Sequence, residues 1–330
     1  MNSRILIRKI GQRREASLVL LIIVLLALVS IRAPGFLAPA NIQRIVNDTS
    51  ILVMVSIGQF FVILAGGIDL SVGSIIGFSG MAASLINEAN PGLPAGVVLI
   101  LGVLIGAGFG MVNGSLVAFG KVPPIITTLG TMSVYRGLTF VMSKGEWVTA
   151  HEMTDSYMLL PHGNFLGISN LIWWGIVVSA LLYYVSRFTR SGREVYAIGG
   201  NKTAAKFVGV SEKKIQFMIF AISGTISGLA GVMWTARYAA AVNETATGFE
   251  LQTVAACVIG GVSIAGGSGA VPGVILGALF MGIINNALPV INLSPFLQLF
   301  IQGAIVLLAM LINTLSEQRR DKKALQERLA

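Results

Sequence analysis

Ser191-Gly-Arg-Glu-Val-Tyr-Ala-Ile-Gly-Gly-Asn-Lys-Thr-Ala-Ala-Lys-Phe-Val-Gly-Val210 is a polar, basic island set between two long apolar runs. Such a stretch contains no membrane span, so the runs on either side of it must end on the same face of a bilayer. Around it the chain of 330 residues is 55% hydrophobic and only 11% charged, with a mean hydropathy of +0.82. Soluble domains carry about 25% charged residues. The composition therefore specifies an all-α, polytopic helical bundle, read as one transmembrane domain over 1–330, and excludes a count of soluble domains from length. A net charge of +9 does not indicate a nucleic-acid partner here, because on a membrane chain the placement of charge matters more than its sum.

A span needs roughly 20 apolar residues. Ten are expected, at 16–34, 45–65, 72–87, 94–119, 125–142, 170–187, 214–236, 251–264, 271–288 and 296–315. Turn residues such as Asn90-Pro91-Gly92 and Pro123-Pro124 join them. The first run follows Arg4, Arg8, Lys9, Arg13 and Arg14 in the manner of a signal peptide. Arg32-Ala-Pro-Gly-Phe36 is a poor cleavage context, so it is read as a retained span. An even number of spans puts both termini on one side. With that side cytoplasmic, 18 of the 23 basic residues fall inside and four outside, and Arg136 lies within a span. That asymmetry sets the orientation by the positive-inside rule, and Trp147, Trp173, Trp174 and Trp234 all fall at or beyond the outer interface.

Several chemistries lack the residues to carry them. The single Cys257 excludes an intrachain disulfide and a cysteine metal cluster. His151, His162, Glu146, Glu152 and Asp155 share the outer loop 143–169, but their spacing matches no metal-ligand pattern. No Gly-x4-Gly-Lys-Ser/Thr motif is present, since Asn201 stands where the glycine before Lys202-Thr203 would be. ATP hydrolysis, if used, belongs to another subunit, and no enzyme constellation is visible.

The remaining motifs concern packing and passage. Gly102, Gly106, Gly110 and Gly114 form a small-residue ridge, repeated by Gly224/Gly228 and Gly273/Gly277, where another helix can approach closely. Gly66-Gly-Ile-Asp-Leu-Ser-Val-Gly-Ser74 and Gly260-Gly-Val-Ser-Ile-Ala-Gly-Gly-Ser268 interrupt two apolar runs in similar ways. Glycine-broken segments of this kind often line a transport route, because freed backbone groups find partners there. Asp69 is the one acid among these runs. Capping the next helix, touching substrate and coupling protons all remain open to it, with capping the simplest. Arg136 can snorkel, face the route or pair with a carboxylate. Asn113, Thr128, Asn285 and other neutral groups suit a hydroxyl-rich substrate, although helix–helix bonding explains them as well. The route is read at Asp69, Asn113, Thr128, Arg136 and Asn285.

Ala33-Pro-Gly-Phe-Leu37, Ile63-Leu-Ala-Gly-Gly-Ile-Asp-Leu-Ser-Val-Gly73, Thr128-Leu-Gly-Thr131 with Tyr135-Arg-Gly137, the 192–209 segment and Val258-Ile-Gly-Gly-Val-Ser-Ile-Ala-Gly-Gly-Ser-Gly269 together resemble the permeases of bacterial ABC monosaccharide importers. That branch serves ribose, xylose, arabinose, galactose, rhamnose and autoinducer-2. Tyr135-Arg-Gly137 and Lys144-Gly-Glu-Trp147 look closest to its autoinducer-2 and rhamnose members. The resemblance implies a ten-helix subunit of the inner membrane, paired with itself or with a similar permease. Cytoplasmic ATPase subunits that bind ATP and magnesium would sit below it and a periplasmic binding protein above it, with lipid around it. The island, about 188–213, becomes the coupling segment. Gly199-Gly200-Asn201 would be its turn and helix start, Ala204 and Ala205 its small seating face, and Gly209 its end. A self-sufficient secondary transporter coupled through Asp69 and Arg136 is the alternative, and a channel-like or scaffold protein is a third.

Overall fold

The computed structural model describes residues 14–329, with side chains over 15–315 apart from residue 312. Arg4, Arg8, Lys9 and Arg13 lie outside the described residues. Thirteen α-helices follow in order: α1 Arg14–Arg32, α2 Pro39–Leu64, α3 Val72–Ala89, α4 Ala95–Ala118, α5 Pro124–Ser143, α6 Asp155–His162, α7 Asn170–Phe188, α8 Arg190–Gly200, α9 Lys202–Phe207, α10 Glu212–Tyr238, α11 Phe249–Ile259, α12 Val271–Val290 and α13 Pro295–Leu329. Prolines stand in the first turn of α2, α5 and α12, where a missing amide costs nothing and the ring fixes helical φ.

Each of the ten expected segments coincides with one of these helices. Seven of them, α1, α2, α4, α7, α10, α12 and the first part of α13, are long and apolar enough to cross a membrane. The segment expected as a span over 251–264 is corrected: α11 has 11 residues, about 16 Å at 1.5 Å per residue, against a hydrocarbon core of about 30 Å. It works as a half-helix entered from a loop. Residues 239–248 carry the chain back into the bundle, until the Ala246 carbonyl and the Glu250 carboxylate lie against Gly73 in the first turn of α3.

The end of the molecule that carries α8 and α9 is termed proximal, and the other end distal. Helix α2 is the central post, with every residue from Thr49 to Leu64 buried. A helix that is apolar all round belongs in such a place. Helices α1 and α13 stand at the periphery, and Leu28, Ile31, Phe300 and Leu307 among their side chains are exposed. Lipid tails are as apolar as leucine, so close backbone approach rather than apolar burial holds such a bundle together. The glycine ridges supply that approach. A Cβ on Gly106 would strike Gly228 Cα and the Gly224 carbonyl, and one on Gly110 would strike the Phe220 carbonyl, which seats α4 on α10. Gly260 meets Gly273, and Gly277 meets the Ala256 carbonyl, which seats α11 on α12.

The distal surface is folded more tightly than a loop of turn residues suggests. Val148–Thr149 (β1) pairs antiparallel with Ala240–Ala241 (β4), and Asn164–Phe165 (β2) pairs with Ile168–Ser169 (β3). Helix α6 is pinned by its N-cap Thr154, whose side chain accepts from the Tyr157 amide, and by Asn87 of α3. The Tyr157 hydroxyl is buried against Thr235 Oγ1 at 2.7 Å, and burial pushes that phenol above its ordinary range. Hydrogen bonds from the Thr149 amide and hydroxyl hold the Glu152 carboxyl below its usual range.

Candidate translocation and coupling site

Asp69 lies between α2 and α3 and is completely buried. Its Oδ1 accepts from the Ser71 amide (3.0 Å) and the Ser71 hydroxyl (2.6 Å), and its Oδ2 accepts from Ser223 Oγ on α10 (2.8 Å). Gln59 of α2, its amide oriented by these partners, donates to the Asp69 carbonyl at 3.2 Å and accepts from its amide at 3.1 Å. The helix itself starts one residue after Ser71, so Asp69 secures the turn before α3 rather than capping the first helical amide. Each side-chain oxygen is thereby engaged, as a buried polar group requires.

The bonds continue outward from this acid. Asn113 Nδ2 on α4 donates to Ser71 Oγ at 2.7 Å, and the Tyr135 hydroxyl on α5 donates to Asn113 Oδ1 at 3.0 Å. Thr128 Oγ1, also on α5, reaches the Ile68 carbonyl at 3.1 Å and its own helix at the Pro124 carbonyl at 3.0 Å. Three of the five expected route residues, Asp69, Asn113 and Thr128, thus meet in one network that ties α3, α4, α5 and α10 to the first glycine break.

Arg136 and Asn285 lie elsewhere. Arg136 Nη1 donates to the Asn243 and Thr245 carbonyls, both at 2.8 Å, so the guanidinium braces the re-entrant loop that precedes α11. Glu250 and Glu244 are the acids whose charges act on it. It forms no bond with Asp69, and the coupling pair of the secondary-transporter alternative is absent among the described residues. Asn285, on α12, donates to Gln252 Oε1 of α11 at 2.8 Å beside a distal cavity.

At the proximal end, Thr189 caps α8 by accepting from the Gly192 amide at 3.1 Å. Asn201 then caps α9, its Oδ1 accepting from the Ala204 amide at 2.9 Å. The expected turn at Gly199-Gly200 is corrected: both glycines are the last residues of α8, and the chain breaks direction at Asn201. The two alanines also part company. Ala204 is exposed, whereas Ala205 is buried in the protein's own core and presents nothing outward. Gly209 ends α9 with φ +82°, a left-handed conformation that favours glycine. Lys202 and Lys206 both reach Glu212, at 3.5 and 2.8 Å, which folds α9 back against the start of α10.

Gly199 lies where three glycine segments converge. A Cβ there would collide with the Leu64 carbonyl at the end of α2 and approach the Gly267 amide. That amide itself donates to the Leu64 carbonyl at 2.8 Å, and Gly266 lies against Gly66 and Gly199. The Tyr196 hydroxyl of α8 donates to the Gly269 carbonyl at 2.8 Å, and burial raises that phenol's pKa. Helix α8 therefore touches both interrupted runs.

Sequence reasoning missed Phe207 and Val208. They are 87% and 78% exposed at the end of α9, an apolar pair at the proximal end. Their signal was an apolar pair inside a basic island. It also missed Ser71, Ser223 and Tyr135, whose roles depend on which helices meet.

Comparison with known proteins completes the picture. The profile described as branched-chain amino acid transport system / permease component matches residues 41–310. The L-arabinose ABC transporter permease protein AraH of Azospirillum brasilense is 37% identical over 309 residues, covering 94% of this chain and 89% of its own length. The ribose import permease protein RbsC of Haemophilus influenzae is 38% identical over 296 residues, covering 88% of this chain and 90% of its own. The autoinducer 2 import system permease protein LsrC of Photorhabdus luminescens is 34% identical over 307 residues, covering 93% and 91%. No solved structure matches the chain. With its membrane-crossing helices and its glycine-broken runs, the chain belongs to the branched-chain amino acid transport system / permease component family, as a multi-pass inner-membrane permease component of an ABC importer.

Proposed function

We propose that this permease carries a monosaccharide or sugar-like small molecule from periplasm to cytoplasm by alternating access, in step with ATP hydrolysis on partner subunits. The arabinose, ribose and autoinducer-2 permeases among its relatives support the substrate class. One observation carries the coupling: the capped helix α9 offers Ala204, Phe207 and Val208 to solvent, while its carrier α8 lies against both glycine breaks. A cytoplasmic ATPase that grips this tip can tilt α8 and so shift the helices that leave the breaks. ATP and magnesium would then be held by that ATPase. A periplasmic sugar-binding protein delivers substrate to the distal face, and a second permease, identical or similar, completes the route.

The test is reconstitution of the chain with its ATPase and binding protein in proteoliposomes. Ala204→Arg places a long charged side chain on the exposed face of α9 and leaves the buried Ala205 alone. We expect normal insertion, ATP hydrolysis that no longer responds to the binding protein, and uptake reduced at least tenfold. Normal uptake by this variant would sink the coupling assignment. Uptake by the permease alone under a proton gradient would restore the secondary-transporter reading.

A further inference from the structure

Between α2, α10, α11, α12 and α13, toward the distal end, lies a cavity of about 290 Å³, at the small end of the roughly 300–1,000 Å³ typical of ligand pockets. Its walls divide by chemistry. Part of the lining is aromatic: Trp234 stands edge-on to Phe249 at 5.1 Å and 5.6 Å from Tyr238. The lining also includes neutral amides, Gln252, Asn285, Asn286 and Gln302. Asn285 Nδ2 is engaged by Gln252, yet Asn285 Oδ1 and Asn286 Oδ1 are buried and accept no hydrogen bond from the described residues. Native proteins leave few buried acceptors in that condition, and each one needs a reason. The charged lining residue, Asp48, is already neutralised by Arg237 at 3.0 Å.

We infer that this cavity is a sugar-binding station within the permease itself, taking one neutral polyhydroxylated ring. A sugar has hydroxyls for the neutral amide side chains of the lining and an apolar C–H face for the indole and phenyl rings. An ion would find its counter-charge already paired, and a purely apolar ligand would leave the amides unsatisfied. The inference rests on the import reading for the direction of travel. Substrate released at the distal face would lodge here before the first glycine break, and the permease would take part in selecting its cargo.

The test uses the full chain in detergent, titrated with ribose, L-arabinose, D-allose and, as a comparison, L-leucine. Tryptophan fluorescence and thermal melting are followed together. We expect a saturable fluorescence change and a rise in melting temperature with at least one sugar and none with leucine. Trp234→Phe should lose the fluorescence change. Asn286→Leu removes an orphaned acceptor, so it should melt no lower than the parent while binding sugar at least tenfold more weakly, a factor that corresponds to about 1.4 kcal/mol. No saturable change with any sugar, or sugar binding by Asn286→Leu equal to the parent, overturns the inference. Saturable leucine binding overturns its substrate class. The two readings fail separately: if binding-protein-dependent ATP hydrolysis and uptake are intact in Asn286→Leu across sugar concentrations, the station falls and the importer stands. If the parent chain never stimulates its ATPase, the importer reading falls whatever the cavity binds.

Discussion

At the scale of single residues, Asp69 is a joint made of bonds. Its two oxygens take up a backbone amide and two hydroxyls, and the chain of bonds runs on through Ser71 and Asn113 to Tyr135. Asp69→Asn keeps an acceptor for Ser71, and its new amide hydrogens can donate to Ser223, so we expect a small change in melting temperature and uptake that does not depend on pH. Asp69→Ala strands three buried partners. Unmatched buried groups cost about 1–3 kcal/mol each, so we expect a loss on the order of 3 kcal/mol, seen as lower yield and melting temperature in detergent. Abolished uptake in Asp69→Asn at unchanged stability would show the carboxylate working on substrate or protons instead. The importance of Asp69 was legible in the sequence, because an acid among apolar runs demands partners. Who those partners are was not, since Ser223 is 154 positions away. Arg136 is similar: its isolation in a span was plain, but the carbonyls it serves belong to a re-entrant loop that no periodicity announces.

At the scale of elements, the bundle is assembled where side chains are missing. Helix α4 offers a direct comparison. A Cβ on Gly106 would run into the backbone of α10, while one on Gly108 would meet nothing within 4 Å. We expect Gly106→Ala to force the seam apart, at a cost of about 1–3 kcal/mol or more, and to lower the yield of folded protein. Gly108→Ala should leave the melting temperature unchanged or raise it, because alanine is the better helix former by about 1 kcal/mol. Equal behaviour of the two variants in a detergent melt would remove the ridge as the basis of packing. The ten apolar segments were legible from hydropathy because each helix must satisfy its own backbone in lipid. The half-helix α11 was misjudged as a span because the apolar run continues through Val262 and Ile264 while the helix stops at the Gly260 turn. Helices α6 and α8 carried local signals in their N-caps Thr154 and Thr189, but were too short to read as spans, whereas the β1–β4 pair depends on distant segments, Val148 with Ala241, and left no mark on local pattern.

At the scale of the whole molecule, the proximal end and both interrupted runs meet at one point. Gly199→Ala would drive a methyl group into the Leu64 carbonyl, whereas Gly200→Ala meets nothing within 4 Å. We expect Gly199→Ala to insert and yet lose most uptake, with ATP hydrolysis unresponsive to the binding protein. Gly200→Ala should transport like the parent, and the two together separate the junction from general helix stability. The junction also has a mechanical consequence. Long side chains are compliant: they swing through rotamers and absorb small displacements before anything behind them moves. Where Gly199, Gly66, Gly266 and Gly267 press backbone on backbone, that slack is missing. A linkage of this kind has almost no backlash, so under the proposed coupling a sub-ångström push on α8 would be passed at once to the ends of both broken runs, with little of the stroke lost.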